Sequence, residues 1–205
     1  FLAANARVIV EVGTFCGAMS FEIASAMPAD ATLITIDHYR GSAGDLTARI
    51  PDKYMKSAAA HRLRDFGERV VMIDATSVEF ATHVKDGSVD LVFLDAAHDY
   101  RNVGADLRAW WPKLRSGGLM AGHDLDKSLL TMNPKYIFEH KHLDIIPGVL
   151  VHPGVFLALM DCVTKMAVDA RARGSVWMAY KEGFNFQKLA GDSFELCLFD
   201  CENNK

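Results

Sequence analysis

Short apolar runs recur along the chain, and each is followed by a stretch whose apolar positions repeat at helical spacing. Ala6 to Val12, Leu33 to Asp37, Val70 to Ile73, Val89 to Asp95 and Gly118 to Ala121 read as strands, while Ala18 to Met27, Tyr54 to Phe66, Val78 to Val84, Asn102 to Trp111 and Val155 to Ala172 read as helices. The strand runs do not alternate apolar with polar residues, so both of their faces must be covered. Alternating β and α elements then imply an α/β fold with a parallel sheet between helices. In the helix after the fourth strand, Val103, Leu107, Trp110 and Trp111 share one face, which places at least one of the two tryptophans against the sheet. Pro112 and Gly117-Gly118 end that helix and turn the chain into the fifth strand. Val176 to Tyr180 and Phe194 to Phe199 predict a terminal antiparallel hairpin. The polar segment Tyr39 to Asp52 is either a flap or a plain insertion.

Composition narrows the picture further. A length of 205 residues suits one domain with one large core, taken as residues 1–205. With 26 acidic and 22 basic residues the chain has no excess of positive charge for nucleic acid, so no nucleic-acid partner is expected. Its longest uncharged run, Ile145 to Met160, falls short of the roughly 18 to 20 residues that cross a bilayer, so no membrane partner is expected either. Cys16, Cys162, Cys197 and Cys201 form no C-x-x-C pair, which argues against a disulfide framework or a zinc knuckle and makes a reducing cytoplasm the default location. Phe1 stands where an initiator Met is usual, and the first strand follows too soon for a signal peptide, so the N-terminus reads as trimmed.

In an open parallel sheet, ligands bind beyond the carboxyl ends of the strands, so chemistry is expected just after each strand. The first strand runs into Glu11-Val12-Gly13-Thr14-Phe15-Cys16-Gly17, where Gly13 lets the backbone turn under a ligand and Gly17 lets the next helix approach it; a tight connection would need the same glycines. The G-x-x-x-G spacing differs from the G-x-G-x-x-G of dinucleotide sites and argues against NAD and FAD. Asp37 closes the second strand, where a carboxylate can accept from ribose hydroxyls or simply face solvent. Thr76 and Ser77 follow the third strand and suit either a helix N-cap or the border of a purine. If the fourth and fifth strands are neighbours, Asp95, His123 and Asp124 converge. They then suit a divalent cation such as Mg²⁺ or Mn²⁺, or form an ordinary polar cluster.

The runs EVGTFCG, TIDHY, VDLVFLDAAHDY and DLRAWWPKLRSGGLMAGHD resemble the class I S-adenosylmethionine-dependent methyltransferases, in the small-molecule O-methyltransferase branch with D-x-x-H-x-Y and G-H-D patterns. The likeness runs from about Val8 to Asp124 and resumes in HPGVFLAL and VWMAYK. It implies a Rossmann-like, seven-stranded, mostly parallel sheet with a C-terminal antiparallel hairpin and helices on both faces. It also implies S-adenosylmethionine as cofactor and a small-molecule methyl acceptor as partner. Carried over, Glu11, Gly13 and Gly17 hold the methionine moiety, Asp37 holds the ribose, Thr76 and Ser77 border adenine, and Asp95 adjoins the cofactor. Catechol-type and sugar O-methyltransferases place a metal where this chain has Asp95, His123 and Asp124, although His123 stands where an acid is usual.

The resemblance puts the acceptor pocket between Leu125 and Pro153, a stretch with no motif of its own. Methyl transfer from a sulfonium needs the acceptor positioned and its proton removed, a task for His98 with its near-neutral pKa or for its rival His123; His38 lies beside the ribose position. Three other readings stand beside this one: a metal-independent N-methyltransferase, a nucleotide-binding oxidoreductase, and a cofactor-binding module without turnover. A homo-oligomer is compatible with all of them.

Overall fold

The computed structural model describes residues 6–41, 50–166, 170–181 and 194–195. Strands β1 (Val8–Val12), β2 (Thr32–Asp37), β3 (Val70–Asp74), β4 (Val89–Leu94) and β5 (Leu114–Gly122) alternate with helices α1 (Ala18–Ala26), α2 (Asp52–Leu63), α3 (Ser77–Ala81) and α4 (Tyr100–Trp110). Helices α5 (Pro134–His140) and α6 (Pro153–Met166) follow, then β6 (Ala170–Arg173), β7 (Val176–Tyr180) and the two-residue β8 (Phe194–Glu195). The sheet order is β3-β2-β1-β4-β5-β7-β6-β8. The first five strands are parallel neighbours, and β7 runs antiparallel to both β5 and β6. The expected seven-stranded, mostly parallel sheet is therefore present as β1 to β7. Among the described residues no helix is long and apolar enough to cross a membrane.

The C-terminal third differs from expectation in two ways. The helix expected to reach Ala172 ends at Met166, and Ala170–Arg173 forms β6. Its Ala-Arg-Ala-Arg sequence alternates, with Ala170 and Ala172 buried and Arg173 exposed, a period of two that an apolar helical run just upstream conceals. The antiparallel hairpin joins β6 to β7 across Gly174 (φ +64°) and Ser175. The partner expected for β7, Phe194 onward, instead pairs with β6 as β8, and residues 196–199 of that run lie outside the described residues. Of the polar segment from Tyr39 to Asp52, Tyr39 is buried and 42–49 lie outside the described residues.

Strand β1 is the hinge of the topology. Val10 pairs with Ile34 on one side and Val92 on the other, and the chain leaves β1 toward β2 and β3 before crossing back to β4 and β5. Such a reversal opens a crevice at the carboxyl edge between β1 and β4. One face of the sheet is sealed largely by α4 and α6. Val103, Leu107 and Trp110 of α4 meet Val155, Ala158 and Leu159 of α6 in the main core, and Asp99 caps α4 by accepting from the N–H groups of Arg101 and Asn102. Trp110 is fully buried and its Nε1–H donates to Ser77 Oγ at 2.7 Å, whereas Trp111 is only partly buried against the same core.

Truncating Trp110 removes a large apolar group and the hydrogen bond that its ring N–H donates to Ser77. Trp110→Ala is expected to lose about 3–5 kcal/mol of unfolding free energy, and Trp111→Ala clearly less. Urea denaturation of the two variants side by side checks the order.

Candidate functional site

The loop after β1 is shaped first by packing. A side chain at Gly13 (φ +100°) would stand 1.9 Å from the carbonyl oxygen of Asp95, so only glycine lets the end of β1 lie against the end of β4. A Cβ at Gly17 (φ +74°) would come within 3.1 Å of Ala59 on α2. Both glycines are thus demanded by chain against chain, the tight connection that the sequence leaves open beside a ligand-binding loop. Between them Phe15 has φ +47°, and Tyr39 and Asp124, just after β2 and β5, have φ +56° and +59°. Left-handed backbone at non-glycine residues is uncommon and gathers at functional sites; here three such residues share one edge of the sheet.

Asp37 ties this edge together. Its Oδ2 accepts from the Phe15 N–H at 2.8 Å and its Oδ1 from the Tyr39 N–H at 2.6 Å, leaving each carboxylate oxygen one further lone pair toward the crevice. Glu11 lies beneath the loop with no exposed surface, accepting from Ser20 Oγ and, at 2.6 Å, from Thr35 Oγ1. In the conformation described it props the loop from below. After β3, Thr76 is exposed, but the Ser77 hydroxyl is turned inward to Trp110 and to buried Asp106, which leaves only the Ser77 backbone to border a purine. Burial pushes the Asp106 carboxyl up to about 6.

A second constellation sits at the ends of β4 and β5, which are paired neighbours with Leu94 opposite Gly122. His98 Nε2 lies 2.9 Å from Asp124 Oδ2 and 3.8 Å from Asp95 Oδ1. Asp144 grips the other side of that ring, its Oδ1 accepting from the His98 backbone N–H at 2.9 Å and lying 3.1 Å from Nδ1. His123 Nδ1 is 2.9 Å from Asp124 Oδ1, and its Nε2 is 2.8 Å from Ser175 Oγ in the β6–β7 turn. His152 repeats the arrangement of His98: Asp126 Oδ2 accepts from its backbone N–H at 2.7 Å and lies 3.0 Å from Nδ1. The His98 and His152 rings are 4.7 Å apart. Gly154, at the start of α6, packs so closely on the His98–Tyr100 backbone that a Cβ there would come within 2.3 Å of the His98 carbonyl oxygen.

The sequence reading found Asp95, His98, His123 and Asp124, and the structure brings all four together. It missed Asp126, Asp144, His152 and Ser175. Three of these lie in or beside the stretch without motifs; the one available signal was the HPG of the HPGVFLAL run. His38 stays apart from the cluster, with Nδ1 accepting from the Arg40 N–H at 3.0 Å.

Charge within the cluster is strongly organised. Burial alone would depress His98, but the carboxylates of Asp124, Asp144 and Asp95 prevail and push it up to about 11. Burial works against the Asp124 carboxylate, yet His98 and its fellow imidazoles hold it down at about 2. The ordinary imidazole value from which a His98 base was argued does not apply here; alone with its carboxylates His98 is a cation at neutral pH. As donors for a divalent cation, Asp95, His123 and Asp124 each offer an atom within 4.8 Å of the others, so two carboxylates and an imidazole fit the expected ion.

The props beneath the loop generate a pH prediction. Burial, only partly offset by the hydrogen bonds from Ser20 and Thr35, pushes Glu11 from 4.5 up to about 7. The folded protein therefore keeps a proton that the unfolded chain releases near 4.5. Stability from this group is full below 4.5 and is lost as pH rises through about 7. Glu11→Gln, which cannot ionise, is expected to remove on the order of 3 kcal/mol of the parent's stability difference between pH 5 and pH 8. Denaturation of parent and variant at both pH values checks it.

Comparison with known proteins bears on the same edge. Among solved structures, the O-methyltransferase TomG of Streptomyces achromogenes, involved in tomaymycin synthesis and in complex with SAM, superposes with a TM-score of 0.60 at 20% identity, covering 87% of this chain and 74% of that one. An O-methyltransferase of Bacillus cereus in complex with SAH gives a TM-score of 0.56 at 17% identity, covering 86% and 74%. At these identities the likeness is one of fold. An uncharacterized protein of Sinorhizobium fredii, y4gI, is 28% identical over 133 residues, which are 60% of this chain and 14% of that protein; the chain thus spans about a seventh of that relative's length. The sequence profile described as a methyltransferase domain matches residues 10–125, from the middle of β1 to just past the Asp124 cluster. A match over more than half of the chain, spanning both the glycine loop and the acidic strand ends, means that this protein belongs to the methyltransferase domain family.

Proposed function

We propose that the chain is an S-adenosylmethionine-dependent methyltransferase that methylates a hydroxyl group of a small molecule with the help of a divalent cation. The observation that carries this reading is the contact of Gly13 with Asp95, which sets a cofactor-type loop and a His–Asp cluster side by side at one switch point. The loop from Gly13 to Gly17 would take the methionine moiety, with Glu11 supporting it, and the free lone pairs of Asp37 the ribose hydroxyls. Thr76 and the Ser77 backbone would border the adenine, and Asp95 stands between cofactor and acceptor. TomG and the Bacillus cereus enzyme, complexed with SAM and SAH, lend this assignment support. The segment from Leu125 to Val151, held together by its own buried cluster of Leu129, Ile137, Ile146 and Val151 and bearing Asp144 on His98, would border a small acceptor.

Asp95, His123 and Asp124 would hold the cation, Mg²⁺ or Mn²⁺. When bound it supplies positive charge beside the acceptor oxygen and lowers that oxygen's pKa. This chain's own residues handle the proton. With its Nδ1–H donating to Asp144, His98 is fixed in one ring orientation with Nε2 toward the reacting edge, and proton uptake there requires that the charges of Asp124 and Asp95 be engaged elsewhere. His123, partly exposed and held by Ser175, is placed as a ligand. The low identities to O-methyltransferases leave metal-independent N-methylation as the second reading, and the experiment separates the two.

Calorimetry is expected to detect S-adenosylhomocysteine binding, weakened about 10- to 100-fold by Asp37→Ala through loss of charge-assisted hydrogen bonds. Parental affinity in that variant sinks the cofactor assignment. In an acceptor screen with labelled methyl donor, EDTA should abolish turnover without changing that affinity, and His98→Ala should slow it by about 10² to 10⁴. Full turnover in EDTA transfers the case to metal-independent chemistry.

A further inference from the structure

Asp124 faces more nitrogen than a magnesium site requires. His98 Nε2 lies 2.9 Å from its Oδ2, His123 Nδ1 2.9 Å from its Oδ1, and His152 Nδ1 3.8 Å from the same Oδ1. Only His123 belongs to the ion position assigned above. His98, Asp124 and His152 offer a separate set of donor atoms, all within 4.8 Å of one another. His98 Nε2 is buried and makes no aligned hydrogen bond, although carboxylate oxygens lie close by. Its outer nitrogen is gripped by Asp144, the kind of outer partner that fixes a metal-ligating imidazole. Asp126 orients His152 from its own backbone in the same way, and left-handed backbone (φ +59°) carries the Asp124 carboxylate in between.

We propose that His98, Asp124 and His152 form a second cation position, distinct from the Asp95–His123–Asp124 position though sharing Asp124, that takes a first-row transition ion such as Zn²⁺ or Co²⁺. Two imidazoles and one carboxylate favour such ions, whereas Mg²⁺ prefers oxygen donors and keeps its waters. The consequence for chemistry rests on the function proposed above: a metal on His98 Nε2 occupies the atom that would take the acceptor's proton. The position is therefore inhibitory, and a soft ion shuts off the reaction that a hard ion supports.

The test uses the full chain stripped with EDTA and dialysed, titrated with CoCl₂, ZnCl₂ or MgCl₂. Co²⁺ is expected to give visible d–d absorption, displaced by Zn²⁺ and not by Mg²⁺. His152→Gln should weaken Co²⁺ binding by about tenfold or more, while Asp95→Asn, which removes no ligand of this position, should leave it near parental. Thermal melting in EDTA shows that each variant is folded. Co²⁺ binding unaffected by His152→Gln, or lost equally in Asp95→Asn, overturns the second position. S-adenosylhomocysteine affinity of the same samples reports separately on the cofactor reading, so a failure of one is not mistaken for a failure of the other. Where turnover is available, micromolar Zn²⁺ should inhibit the parent and spare His152→Gln; equal inhibition of both removes the inhibitory role.

Discussion

The backbone of Gly13 rests on the carbonyl of Asp95, and much of the functional edge follows from that contact. A methyl side chain at position 13 would overlap main-chain atoms that cannot rotate away, so β1 and β4 can end side by side only because the residue is glycine. The two strands are already paired from Ile9–Leu91 to Val12–Leu94, and the contact continues that register past the last ladder bond. The Asp95 N–H, donating to the Val12 carbonyl at 2.8 Å, closes it from the other side. A loop able to surround a cofactor and an acid able to serve an acceptor are thereby neighbours by main-chain geometry alone, before any side chain contributes. For a displacement that depends on holding two reactants in line, rigidity of this kind is more useful than any single hydrogen bond.

Around this frame the protein concentrates charge that it would otherwise exclude. Asp95, Asp124, Asp126 and Asp144 crowd together, an arrangement that would repel itself if imidazoles did not intervene. The low pKa of Asp124 and the high pKa of His98 are two views of one pairing in partly dry surroundings. Without a cation, the proton on His98 supplies the missing positive charge. The carboxylates and the imidazoles thus set one another's charge state. Glu11 belongs to a different regime: its neighbours are hydroxyls, so burial is met by protonation and not by a counter-charge.

What the sequence made legible follows the range of the interactions. Periodicity is local, so β1 to β4 and the face of α4 with Trp110 could be read directly, whereas β5 begins at Leu114 and takes in Gly117 and Gly118, which the sequence places in the turn before it. Strand-end acids could be placed because a parallel sheet sends all its carboxyl ends to one edge. Two kinds of feature escaped. Ala170–Arg173 became a strand because β7 offered it a ladder, a tertiary fact that overrides the helical reading of an apolar run. Asp126, Asp144 and His152 act across long sequence separations, with His98 and Asp144 46 positions apart, and come from a segment with no periodic signal. Gly13 and Gly17 show the same limit: the sequence suits a ligand loop and a tight connection alike, and only the fold reveals the main-chain contacts that require glycine there.

That segment, 125–152, couples an apolar cluster to the charged one. It packs Leu129, Ile137, Ile146 and Val151 against one another, and it also carries Asp126, Asp144 and His152 to the charged cluster. Its end is fixed by Gly154, whose lack of a side chain seats the first turn of α6 on the His98–Tyr100 backbone. The Tyr100 N–H, donating to the Lys141 carbonyl at 2.9 Å, ties the segment to the start of α4. A change in the segment that repacked the apolar cluster would therefore also move the carboxylate that orients His98 and the imidazole opposite it.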